Sequence, residues 1–427
     1  MPQFPSRRTT LQIGFLGLAG IATPHQSRTT AADEKQATSA ADSVLFLNLA
    51  GGPAHLDTLD MKPEAPSETR GEFKPIQSAL PGLVCCEHLP KIAAMANQLT
   101  ILRGISHSAG SHPLGQSYIS TGNRPSPAVA YPSLGSIVAK EMTGFRDLPP
   151  YIAVPQTEWN AGHMGHGYAP FKTNAVPKPG QPFSVRGISL GAGLTLEKVH
   201  RRQTLLQDLN TRFHDLAEDS QLVDALDTFG QQAHKMITSK RTQTAFDVAQ
   251  EPQNIQKLFG ASEIEQSLLL AIRLIEHGVR FVTVTNTGWD THLDNFRGHR
   301  RLLPPLDAAL TSAIAALRTK GLLERTLLVT MGEFGRTPKI NSNVGRDHYP
   351  AANWCILAGG GVRPGQLIGS TDKAGARPSA DTDISPDDIG ASILQALGID
   401  HHKEYQTSNG RPVSLIPHGT PIAGLFG

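Results

Sequence analysis

The chemistry this chain could perform is concentrated in a few loops that carry histidine beside aspartate or glutamate. The first is Asn286-Thr287-Gly288-Trp289-Asp290-Thr291-His292. On extended chain, an Asp-x-His pair puts its carboxylate and imidazole on one face. That is half of a metal site. The second is Gly332-Glu333-Phe334-Gly335-Arg336-Thr337-Pro338. Glu333 again stands just past a strand's carboxyl end, and Arg336 is either a clamp for an anionic substrate or the ion-pair partner of Glu333. The third is Gly345-Arg346-Asp347-His348-Tyr349-Pro350. Adjacent residues on extended chain face opposite ways, so one of Asp347 and His348 is expected to be a ligand, and His348 is favoured. The fourth runs from Ser106 to Gly122 and holds Ser111-His112-Pro113. Proline suits the first turn of a helix. Ser111 and His112 then stand at a helix N-terminus, where free N–H groups and the dipole favour an anion. Ser111 is either a nucleophile there or a simple cap. A last loop, Gly51 to Asp60, offers His55 and Asp57.

The elements that position these loops read as buried strands alternating with helices. Ser43-Val44-Leu45-Phe46-Leu47-Asn48-Leu49 is an apolar run without alternation, stopped by Gly51-Gly52-Pro53. Such a run suits a strand covered on both faces. Val279–Val284, Thr326–Met331 and Asn353–Ala358 repeat the pattern, and helical periods over Ile264–His277 and Leu306–Leu317 precede two of them. This alternation predicts a three-layer α/β/α sandwich with a mostly parallel central sheet. The strands ending near Leu49, Thr285, Met331 and Ala358 are expected to run parallel in it. Ligands in such sheets bind beyond the carboxyl ends of the strands, which is where the histidine-bearing loops fall. Residues 43–427 are expected to form one domain. Within it, 145–258 reads as an insertion: an irregular Gly/Pro/aromatic stretch over 145–195, then a helical cap.

The start of the chain concerns location. Arg7-Arg8 precede an uncharged apolar stretch, and no acidic residue occurs before Asp33. Residues 1–31 read as a cleavable export signal of the twin-arginine type, with 32–42 as a linker. The apolar run is shorter than the roughly 20 residues a membrane span needs, and no later apolar run is long enough to span a bilayer. Without residues 1–31 the formal charge of +2 falls by Arg7, Arg8 and Arg28 to about −1. That balance points away from a nucleic-acid partner. Three cysteines, two of them adjacent, do not make a disulfide framework.

Four segments in order, Gly51–Pro63, Gly288–His292, Gly332–Pro338 and Gly345–Pro350, resemble domain-of-unknown-function family 1501 of exported bacterial proteins. That family is similar in turn to the alkaline phosphatase and sulfatase superfamily. Asp383-Ile384-Ser385-Pro386, followed by a helical pattern, resembles the sulfatase ending. The resemblance implies an alkaline phosphatase-like fold and hydrolysis of phosphate or sulfate esters with a divalent metal: zinc, manganese or calcium. By that resemblance Asp290, His292, Glu333 and His348 are ligands, with Asp57 in place of the aspartate that usually ends the first strand. His112 stands near the nucleophile position, and Ser111 one residue from it. The implied ligand is a small anionic ester or a sulfated or phosphorylated glycan, met in the periplasm or at the cell surface. A catalytically degenerate member that binds a glycan or protein, or a structural envelope protein, remains open at this point.

Overall fold

The computed structural model describes residues 39–142, 147–181, 234–407 and 409–427, with residues 183, 185, 188 and 201 besides. The proposed signal lies outside the described residues, as does much of the expected helical cap. Eight strands form the central sheet: β1 (Ser43–Ala50), β2 (Thr100–Arg103), β3 (Tyr151–Val154), β4 (Phe171–Lys172), β5 (Phe281–Thr287), β6 (Thr326–Met331), β7 (Trp354–Ala358) and β8 (Gln366–Ile368). Their spatial order is β8-β2-β7-β6-β1-β5-β3-β4. β1 lies between β5 and β6 and is parallel to both, with Val44 opposite Phe281 on one side and Leu327 on the other.

Two expectations need correction. β7 runs antiparallel to both its neighbours, β6 and β2. A buried apolar run is compatible with either direction, because burial on both faces and not strand polarity sets the pattern. The stretch 145–195 is not wholly irregular either. It supplies β3, fully buried beside β5, and the short edge strand β4. Four apolar residues between proline-rich flanks are too short a signal to stand out as a strand.

The sheet divides two cores. Leu45, Leu47 and Leu49 of β1 pack on one side with α3 (Glu263–Glu276) and α4 (Asn295–Thr319). Val44 and Phe46 pack on the other with α1 (His112–Thr121), α2 (Leu134–Glu141) and α5 (Pro386–Ala396). The period of two along one strand therefore accounts for both faces of the sandwich. Sequence chemistry sets several helix ends. Ser262 and Glu265 form a reciprocal capping box on α3, as Ser385 and Asp388 do on α5. α1 stops at Gly122, which adopts the left-handed conformation at φ 65°. α4 begins well before the expected Leu306 and passes through Pro304 and Pro305.

Candidate metal centre

The carboxyl ends of β1, β5 and β6 open onto one side-chain cluster. Asp290 and His292 lie just past β5, and Glu333 just past β6. His348 sits in a short antiparallel ladder with Arg336, and His112 is the first residue of α1. His292 Nε2 lies 2.9 Å from His348 Nε2. Asp290 Oδ1 is 3.1 Å from the former and 3.2 Å from the latter. Asp290 Oδ2 is 3.1 Å from His112 Nε2. His112, Asp290 and His348 each offer a ligand atom within 4.8 Å of the others'.

The far nitrogen of each ring is held by an acceptor. His348 Nδ1 is 3.0 Å from the Gly110 carbonyl, which can only accept. His292 Nδ1 donates to Asp347 Oδ1 at 2.6 Å, and His112 Nδ1 to Glu333 Oε1 at 2.6 Å. With Nδ1 protonated, a neutral imidazole presents its Nε2 lone pair. Three lone pairs and a carboxylate are thus aimed into one small volume. His112 Nε2 is buried and has no aligned hydrogen-bond partner. Such a convergence is repulsive until a cation enters it. The acceptors behind the rings are the partners that fix tautomer and direction in histidine metal sites. By its donor chemistry the cluster fits a divalent metal. A set rich in imidazole nitrogen suits zinc. It does not suit calcium, which takes 6–8 oxygen ligands.

The surrounding charges act on each group differently. Burial raises the Asp290 pKa, but the Arg336 guanidinium and His112 outweigh it and bring it down to about 2. The bond to Glu333 raises His112. Burial lowers His348, assisted by the nearby charge of Arg336. Asp347 is lowered by its bond to His292.

Three expected roles change. Glu333 is fully buried behind His112 instead of beside it. Its carboxylate accepts from Gly51 N at 3.0 and 3.1 Å, from His112, and from Gln116 Nε2 at 2.7 Å. It orients the His112 ring and has no lone pair aimed at the cluster. Asp57 is no ligand. It is fully buried in a two-point ion pair with Arg346, at 2.7 and 2.9 Å, and accepts from Asn295 Nδ2 at 2.7 Å. Arg336 is no anion clamp, because its donors are spent inside the protein. They reach Gly52 O at 3.0 Å, Arg346 O at 3.1 Å, Asp290 Oδ1 at 2.6 Å and the Gly51 carbonyl. Its ion pair is with Asp290, not Glu333. Ser111 does take the N-cap position, yet its hydroxyl makes no capping bond and is exposed.

The loop from His107 to His112 reaches the cluster at two points. Its Gly110 carbonyl holds His348, and His107 Nε2 donates to the Glu333 carbonyl at 2.7 Å. Gly51, at φ +116°, lets the strand end turn under this assembly. A Cβ there would lie 2.4 Å from Asp290 N. Sequence reasoning missed Asn48 and Gln116, whose amides bond each other at 2.8 Å and extend the chain from Glu333. Asn48 was visible as the one amide in an apolar strand, and Gln116 as the residue four beyond His112 on a helix.

The family model described as "Protein of unknown function (DUF1501)" matches residues 41–426. The chain belongs to that family. No curated protein matches it. Among solved structures, it is similar to the lipoteichoic acid synthase LtaP from Listeria monocytogenes, at 9% identity and a TM-score of 0.36, covering 84% of this chain and 73% of that one. It is also similar to the PsFucS1 sulfatase from Pseudoalteromonas sp., at 14% identity and a TM-score of 0.37, covering 84% and 68%. A third is a TAB5 alkaline phosphatase mutant with magnesium bound, at 11% identity and a TM-score of 0.36, covering 85% and 99%.

Proposed function

We propose that this member of the family is an exported, metal-dependent hydrolase of phosphate or sulfate esters. One observation carries the reading. Three imidazoles, each fixed from behind by its own acceptor, aim their Nε2 atoms at the Asp290 carboxylate, beyond the ends of parallel strands. His112, Asp290, His292 and His348 would hold the metal. A bound divalent cation supplies Lewis acidity toward an ester oxygen. The chain's own residues hold that assembly rigid: Glu333 and Asp347 fix two rings, the Gly110 carbonyl fixes the third, and Arg336 keeps Asp290 ionised. No thiol serves as nucleophile. Burial pushes Cys85 and Cys86 up to about 12 and raises Cys355 further. Ser111 has a free hydroxyl but stands outside the cluster, so attack falls to water. The twin-arginine-like start supports export of the folded protein.

The test is metal analysis of the purified protein together with hydrolysis of 4-nitrophenyl phosphate and 4-nitrophenyl sulfate. Zinc near one equivalent, lost together with turnover in His292→Ala, is the expected result, and Ser111→Ala should keep both. A metal-free wild type, or full activity in His292→Ala, would overturn the reading. Binding without turnover is the second reading, favoured by the internal use of Arg336, which leaves the cluster without a free guanidinium for the ester. Metal retained with no hydrolysis of either ester would select it.

A further inference from the structure

Beside the cluster, on the side of His112 and Asp290, lies a cavity of about 420 Å³. This falls within the roughly 300–1,000 Å³ of small-molecule sites. Its lining is one-sided in charge. Asp290 and His112 would be taken up by the metal, and both Glu333 oxygens are bonded to Gly51, His112 and Gln116, which leaves Glu158 as the carboxylate free to meet a ligand; neither lysine nor arginine lines the cavity. The rest is mainly amide, hydroxyl and indole: Asn48, Gln116, Gln156, three threonines and Trp159. Among the described residues, the side chains of Gln156, Glu158 and Thr287 and the Trp159 indole N–H have no hydrogen-bond partner inside the protein, so they are available to a ligand. A second anionic group in this cavity, beyond the one that would meet the metal, would face the Glu158 carboxylate and no lysine or arginine. A purely apolar group would leave these donors and acceptors unmet. A neutral, hydroxyl-rich ring meets both conditions, since hydroxyls donate to carboxylates and exchange bonds with amides.

We propose, resting on the ester-hydrolase reading, that this cavity takes the uncharged polyol part of the ligand. In the same proposal Glu158 is the specificity residue that rejects a second anionic group. The substrate class is then a monoanionic-site ester of a sugar-like alcohol, not a bisphosphate or a polysulfated chain. Two independent readouts test this. Of the three tryptophans, Trp289 and Trp354 are fully buried and Trp159 is half-buried, so ligand-dependent emission reports the cavity. Methyl glucoside, methyl galactoside and methyl mannoside, titrated into the metal-loaded full chain, should give a saturable change with at least one of them, and Trp159→Phe should lose it. No response to any of the three would overturn the proposal. Second, glucose 6-phosphate should exceed glucose 1,6-bisphosphate in kcat/KM by about fivefold, the effect of one like charge near 4 Å in water. Glu158→Gln should narrow that gap, and Glu158→Lys should reverse it. An equal preference in wild type, or a gap unchanged in both variants, would overturn the proposal. If the glycosides change the emission and no ester is cleaved, the hydrolase reading fails while the cavity assignment stands.

Discussion

Glu333 shows how a single side chain can matter to a cluster without facing it. Its two oxygens accept four hydrogen bonds, from Gly51, His112 and Gln116. Glu333→Gln replaces one acceptor with an NH2 group that faces donors. His112 then loses its fixed tautomer. Metal affinity should fall about 10- to 100-fold, measured by competition with a chromogenic zinc chelator; unchanged affinity would remove Glu333 from the site. A second residue-scale prediction concerns His299. Its Nδ1 donates to Asn295 O at 3.0 Å, and its Nε2 accepts from Ala54 N at 3.1 Å. A proton on Nε2 would face an N–H, and burial has brought the pKa from 6.5 down to about 4. Below pH 6.5 the unfolded chain binds a proton here that the folded chain refuses. The contribution is complete above that pH and is lost as pH falls toward 4, about 3 kcal/mol over the window. Urea unfolding at pH 7 and pH 4.5 should show a smaller loss for His299→Asn than for wild type.

At the scale of elements, the loops are braced against one another by buried charge. Asp57, just after β1, and Arg346, beside the ligand-bearing ladder, are both 0% exposed and joined at 2.7 and 2.9 Å. Arg346 also donates to the Thr69 and Thr337 carbonyls. Asp57→Ala would leave a buried guanidinium without its counter-charge, at a cost of about 3–5 kcal/mol. A thermal melt should therefore shift strongly downward, and a wild-type melting temperature would show the pair to be dispensable. This brace also explains why Asp57 misled at the sequence level. An aspartate in a loop after a strand looks the same whether it faces a metal or a buried arginine, because its partner lies nearly three hundred residues away. Asp290, His292 and His348 were legible for the opposite reason. Asp290 and His292 follow the end of β5, His348 lies in the loop between β6 and β7, and strand ends in such sheets converge. The strand direction of β7 was not legible, since pairing geometry leaves no mark on a fully apolar run.

Across the whole molecule, the proposed ligands come from three separate segments, at His112, at Asp290 with His292, and at His348, so on that reading metal binding and folding are linked. A metal that binds only the folded chain adds about 2.7 kcal/mol when its free concentration is a hundredfold above Kd. Removing it with EDTA should lower the melting temperature, and returning zinc should restore it in a concentration-dependent way; a melt indifferent to EDTA would uncouple the two. The α/β sandwich itself was readable from alternating apolar runs and helical periods, while β3 and β4 were hidden by their brevity. The central place of β1 has one more consequence, which concerns time. Both of its neighbours, β5 and β6, lie beyond residue 280. During synthesis at roughly 5–20 residues per second, β1 waits on the order of ten seconds or longer for a partner. Throughout that interval Val44-Leu45-Phe46-Leu47 is an unpaired, strongly aggregating tetrapeptide at the leading end of the nascent chain. A ribosome-bound fragment ending at residue 270 should therefore recruit holdase chaperones through this segment, and Leu45→Lys/Leu47→Lys in the same fragment should release them.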